Sequence, residues 1–124
     1  MATEQNLDTL SFPVDVDSSS LQYRAMTLNS DGELAVPSAG GSIVGVLQNA
    51  PDTAGQPGSI ATGGRTKIVA GEALDPGDVL TPGTSGVFVV CATGDLPCGT
   101  CCETAGASGD IVSMIVTPHL AAPE

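Results

Sequence analysis

The stretch TKIVAGEALDPGDVLTPGTSGVFVV, residues 66–90, decides the fold class. Its apolar runs, Val69-Ala70, Val79-Leu80 and Val87-Phe88-Val89-Val90, are short. They are broken by Pro76-Gly77-Asp78 and by Pro82-Gly83-Thr84-Ser85-Gly86. Pro presets φ for the first central position of a tight turn, and Gly accepts the positive φ of the second. No side chain in the stretch is equipped for catalysis. The segment specifies a compact β-module, so function is expected to lie in surfaces and assembly.

Outward from this stretch the same grammar continues. Gly (16) and Pro (9) recur every few residues, which defeats long helices and favours many short strands. Strands are expected at 10–16, 21–28, 33–36, 43–48, 59–62, 66–70, 78–81, 87–91 and 111–117, with at most a helical turn near Ala73 or at 100–105. Asn29-Ser30-Asp31-Gly32 marks a hairpin. The fold class is all-β. Residues 1–20 are read as an N-terminal arm, 21–120 as a β-rich body with a Cys-rich loop at 91–104, and 121–124 as a tail. Gly32-Glu33-Leu34-Ala35-Val36-Pro37 is echoed at an offset of 45 by Gly77-Asp78-Val79-Leu80-Thr81-Pro82. The echo is read as two similar turns converging on similar residues, since repeat arrays need more than two copies.

A chain of 124 residues is one domain by length. Its core is slim: much of the 41% hydrophobic fraction is Ala, with two Phe, one Tyr and no Trp. Such a core gains from burying further surface in an oligomer. Charge is lopsided, with three basic residues (Arg24, Arg65, Lys67) against fourteen acids, net −11. Nucleic acid needs a cationic footprint, so no nucleic-acid partner is expected. Anionic membrane surfaces are disfavoured for the same reason, and no apolar run approaches the roughly 20 residues of a spanning helix. MATEQNLDTL lacks the basic start and apolar segment of a signal peptide, so synthesis in the cytosol is expected.

Candidate chemistry is concentrated in CATGDLPCGTCC, which holds Cys91, Cys98, Cys101 and Cys102. Cys98-Gly99-Thr100-Cys101 has the spacing of a zinc knuckle. A second knuckle is missing, and the adjacent Cys101 and Cys102 point apart on an extended backbone. Three readings stay open: disulfides formed once the protein leaves the reducing cytosol, a zinc site on these four sulfurs, or free thiols. No cofactor is expected. His119, the only histidine, has no base partner nearby in sequence and is read as surface decoration. Gly63-Gly64-Arg65-Thr66-Lys67 lacks the spacing of a phosphate loop. Arg65 and Lys67 lie two apart, so a strand puts them on one face. They are expected to pair with carboxylates of a neighbouring segment or subunit. Asp15-Val16-Asp17-Ser18-Ser19 starts like a calcium loop but has Ser20 at position six and Met26 at position twelve, so a solvated turn is expected.

Four phrases carry a family resemblance. They are Ala25-Met26-Thr27-Leu28-Asn29-Ser30-Asp31-Gly32-Glu33-Leu34, Ile43-Val44-Gly45-Val46-Leu47-Gln48-Asn49-Ala50, Gly63-Gly64-Arg65-Thr66-Lys67-Ile68-Val69-Ala70-Gly71 and Pro76-Gly77-Asp78-Val79-Leu80. Over residues 23–116 the chain resembles the capsid decoration (cement) proteins of tailed bacteriophages. The resemblance implies a non-enzymatic small β-barrel or β-clip subunit of the β-tulip type. It implies homotrimers on the outside of the virion head, bound to the major capsid protein and stabilising its lattice. It makes 2–13 an arm laid on the lattice or a neighbouring subunit, with Leu7, Leu10 and Phe12 as anchors. The Cys-rich insertion departs from the family pattern. The run Ala70-Gly71-Glu72-Ala73-Leu74 with Gly77-Asp78-Val79-Leu80 also resembles the SAF (antifreeze-like) β-clip. That alternative implies a carbohydrate-binding accessory module, although no aromatic platform for sugar stacking is present.

Overall fold

No segment sustains an apolar period of 3.6 residues, and the chain instead builds strands wherever apolar residues fall between two punctuating turns. The computed structural model describes residues 5–117, with side chains from Asp8 onward. In chain order the strands are β1 (Gln5–Pro13), β2 (Ala25–Leu28), β3 (Leu34–Ala35), β4 (Gly45–Leu47), β5 (Pro57–Val69), β6 (Val79–Pro82), β7 (Phe88–Val90), β8 (Gly99–Cys101) and β9 (Ile111–Val116). A 3-10 turn at Thr84–Gly86 separates β6 from β7, and no α-helix occurs among the described residues. The protein is all-β.

β5 is the spine of one antiparallel sheet. β1 runs along one edge of it, with Gln5 opposite Arg65 and Pro13 opposite Pro57. Along the other edge come β4, with Val46 opposite Ala61, and then β9, from Gly64 opposite Val116 to Val69 opposite Ile111. The sheet continues from β4 through β2 to β3, and from β9 through β8 and β6 to β7. Both ends curl back. Val14 bridges Leu34 at one end, and Phe88 bridges Ala70 at the other. The product is a small barrel-like body with two apolar cores that share β5.

The smaller core holds Val14, Met26, Leu34, Leu47 and Ile60, with Phe12, Leu21, Leu28 and Val44 packed against it. The larger is built around Phe88, Met114, Ile68, Leu80, Leu74 and Val46, and includes Cys98 and Cys101. β2 and β4 are the partition: Ala25 and Val46 face the larger core while their neighbours Met26 and Leu47 face the smaller. Alternation of side chains across a strand requires this split. It also explains why 43–47 is a continuous apolar run, as in strands covered on both faces. The echoed segments place one leucine in each core, Leu34 and Leu80.

Two expectations needed correction. Residues 59–62 and 66–70 were expected as separate strands, yet β5 is continuous through Gly63-Gly64-Arg65. Gly64 takes φ +88 and β1 shifts register against this point, so the glycines bend the strand from β4 to β9 without ending it. β8 was not foreseen at all. It arises because Cys98 and Cys101 behave as small buried apolar residues, while Gly99 lets β8 close on β9: a Cβ there would lie 2.6 Å from the Met114 sulfur. Residues 5–13, inside the stretch read as an arm, form β1, and Val14 is fully buried.

Candidate interaction surfaces

Register places one row of side chains across the outward face of the larger half. Arg65 on β5 lies opposite Ile115 on β9, Ile115 opposite Thr100 on β8, and Thr100 opposite Val79 on β6. The next rows pair Lys67 with Ser113 and Val69 with Ile111. The inward residues between them, Val112, Met114 and Val116, are buried in the core. Ile115, Val79 and Ile111 are nearly half exposed, at 48%, 47% and 45%. This face therefore combines three exposed aliphatic side chains with two of the chain's three cations.

Its polar centre is tied down. Arg65 Nε donates to the Ser113 hydroxyl at 2.9 Å, and that hydroxyl donates to Glu103 Oε1 at 2.5 Å. Arg65 also lies 3.7 Å from the same carboxylate oxygen. The Lys67 ammonium stands 5.8 Å from the centroid of the Tyr23 ring, within cation–π range. Tyr23 reaches that place through a backbone at φ +64. Its N–H bonds Leu47 O and its carbonyl accepts Val69 N–H. Arg24, the third cation, bonds Ser85 O at 3.2 Å, and its Nε is buried without a hydrogen-bond partner.

No disulfide joins any two of the four cysteines in the structure. Cys91 follows β7 and bonds Val79 O through its N–H. Its thiol lies by Asp95 O, half-buried, and burial followed by the Asp95 charge raises its pKa. Cys98 is fully enclosed, its thiol donating to Leu80 O at 3.3 Å. Burial, with a smaller contribution from Cys91, pushes it up to about 12. Cys101 is buried with its thiol on Glu103 O at 2.9 Å, and burial again raises its pKa most. Cys102 is half-buried, with its N–H on Ser113 O. Extended backbone sends Cys101 inward and Cys102 outward. Among the described residues no three Cys, His, Asp or Glu side chains gather as a metal site, and no pocket is formed.

On β1, Asp8, Thr9, Leu10 and Ser11 are exposed, Leu10 at 54%, whereas Phe12 packs on the smaller core. Leu7 falls on β1, its side chain outside the described ones; His119 and 121–124 also lie outside the described residues. At the start of the calcium-like run, Asp17 Oδ1 accepts Ser19 N–H at 2.9 Å, which lowers its pKa. That is a solvated turn.

Sequence reasoning singled out Arg65 and Lys67 but not Ser113, Glu103 or Tyr23. A signal for Ser113 existed: in Ile111-Val112-Ser113-Met114-Ile115-Val116 it is the one polar residue on the face shared by Ile111 and Ile115.

No protein-family model matches the chain, and no curated protein sequence does. Among solved structures, the N-terminal base of the head fiber protein gp8.5 of bacteriophage phi29 is similar. It has a TM-score of 0.69 and 21% sequence identity, and the likeness covers 89% of this chain and 95% of that one. The likeness is one of fold, and it spans both cores.

Proposed function

We propose that this chain is a non-enzymatic structural protein of a bacteriophage head. It is a homotrimeric decoration protein that binds the major capsid protein on the outer surface of the virion and stabilises the lattice. One observation carries the reading: the near end-to-end fold likeness to a phage head fiber base. The chain's own physics agrees. The described residues form no pocket, the net charge of −11 keeps a densely packed surface protein soluble, and the curled sheet leaves few open strand edges. Cementing depends on many modest contacts multiplied by symmetry, and a trimer gains orders of magnitude in avidity without new chemistry.

In this reading β1 with Leu7 and Leu10 lies toward the capsid lattice, Phe12 anchors it to the body, and Arg65 and Lys67 belong to the contact between subunits. The four thiols serve the body, Cys98 and Cys101 as core residues. Co-sedimentation with purified heads lacking the protein is the test. Saturable binding, with raised resistance of the heads to heat or osmotic rupture, is expected. Absence of saturable binding overturns the proposal.

A further inference from the structure

Arg24 stands apart from the other two cations. Arg65 lies against Glu103 and Ser113, and Lys67 lies over the Tyr23 ring. Among the described residues Arg24 forms no ion pair, although the chain carries fourteen acids. Its Nη1 donates to the Ser85 carbonyl at 3.2 Å, a contact at the surface, and its Nε is buried with no acceptor. A guanidinium presents five N–H donors in a rigid fork, and a buried donor left without a partner is costly. One neutral carbonyl is a poor match for such a group.

The backbone is strained on both sides of that hydrogen bond. Tyr23, the residue before Arg24, sits at φ +64, and Ser85, whose carbonyl holds the guanidinium, sits at φ +61. They are the two non-glycine residues with positive φ among those described. Gly86 follows, and a Cβ on it would lie 2.9 Å from Ala25 O and 3.4 Å from Arg24 Cβ, so the 84–86 turn is seated directly on residues 24–25. Left-handed non-glycine residues persist only where the surroundings over-determine them, and they cluster at binding sites. Here two of them and the unbonded donor converge on one side chain. An apolar side chain of similar length would cover the same surface and leave no donor unbonded.

We infer that Arg24 is the binding site for one carboxylate of a partner protein, taken through the Nη N–H groups because Nε is covered. A planar carboxylate matches two parallel N–H donors. A polyanion does not fit, since one guanidinium in a chain of net charge −11 cannot neutralise a row of phosphates. In the proposed function the partner is the capsid lattice. The inference rests on that reading for the source of the carboxylate, but not for the site.

Co-sedimentation with heads lacking the protein, sedimentation velocity of the full chain and urea denaturation test it on Arg24→Met and Arg24→Lys. Arg24→Met removes the fork and keeps an apolar stem, so its urea midpoint is expected at or above that of wild type. Its binding to heads should fall about 30-fold. Arg24→Lys keeps the charge without the fork and should remain about 10-fold weaker than wild type. Weakened head binding beside unchanged self-association puts the carboxylate on the capsid. Weakened self-association puts it on a neighbouring subunit, and either result keeps the site. Variants that bind heads and self-associate like wild type overturn the inference. So does an Arg24→Met protein with a lowered midpoint whose binding loss vanishes at low temperature, as a merely structural arginine would give. Wild type without saturable head binding removes the capsid reading, and the sedimentation velocity comparison alone then decides the inference.

Discussion

Arg65 Nε donates to the hydroxyl of Ser113 at 2.9 Å, across the β5–β9 ladder, although the two residues are 48 positions apart. The hydroxyl in turn donates a hydrogen bond to the Glu103 carboxylate, so one small side chain satisfies a cation and an anion together. Ser113→Ala removes both bonds and leaves the Arg65 Nε–H without that acceptor. A hydrogen bond to a charged group is worth about 1.5–3 kcal/mol, and a loss of about 2 kcal/mol is expected as a lowered urea midpoint at unchanged slope. Arg65→Lys should not substitute, because an ammonium cannot reproduce the guanidinium geometry.

Gly99 and Gly58 make a paired prediction. A Cβ on Gly99 would press on the Ile115 carbonyl and lie 2.6 Å from the Met114 sulfur. A Cβ on Gly58 would lie 2.9 Å from the side-chain tips of Leu34 and Val14. A thioether tip can swing away, but a ladder carbonyl cannot. Gly99→Ala should therefore cost about 3 kcal/mol and Gly58→Ala about 1–2 kcal/mol, within the range for overpacking. Chemical denaturation of both variants checks the order, and equal losses would contradict this reading of β8.

These two sites also mark how far the sequence could be read. Pro76-Gly77 and Gly83 through Gly86 announced β6, β7 and the turn between them, because turn chemistry is local. β8 carried no such mark, since its two buried members are a glycine and a cysteine, Gly99 and Cys101, whose burial depends on what β6 and β9 bring over them. The continuity of β5 through Gly63-Gly64 was hidden because a glycine pair signals a turn as readily as a bend. Arg65 and Lys67 were legible as a shared face from their spacing alone. Their partners were not, since Ser113 and Tyr23 reach them only through strand order and through a positive φ at a tyrosine.

The thiols should separate into two reactive classes. Cys91 and Cys102 are half-buried, and Cys98 and Cys101 are enclosed. Alkylation of the native protein near pH 8, mapped by mass spectrometry, should modify the first pair and spare the second until denaturant is added. Thiolate is the reactive form, and burial holds Cys98 protonated up to about 12. An unfolded chain releases that proton near the ordinary thiol value of about 8.5. The folded state therefore binds the extra proton between these values, so this contribution to stability is intact below about pH 8.5 and is lost as pH rises toward 12. Cys98→Ala should lose that part of the alkaline decline in denaturant midpoint. An identical decline in the variant would assign it to other groups.

Leu10 and Phe12 divide β1 between surface and body. Leu10 is 54% exposed, and Phe12 packs against the core of Val14, Met26, Leu34, Leu47 and Ile60. Leu10→Lys is expected to change stability by less than about 0.5 kcal/mol, as surface substitutions do. Phe12→Ala should cost about 2 kcal/mol, below the roughly 3–5 kcal/mol of a fully buried Phe, because its ring is only partly covered. If β1 lies toward the capsid lattice, the order reverses in binding to heads. Leu10→Lys should then weaken binding at least 10-fold, whereas the binding loss in Phe12→Ala should follow its unfolding and vanish at low temperature. A Leu10→Lys protein that decorates heads like wild type would move the capsid contact off this strand, leaving β1 as an edge that only shields β5.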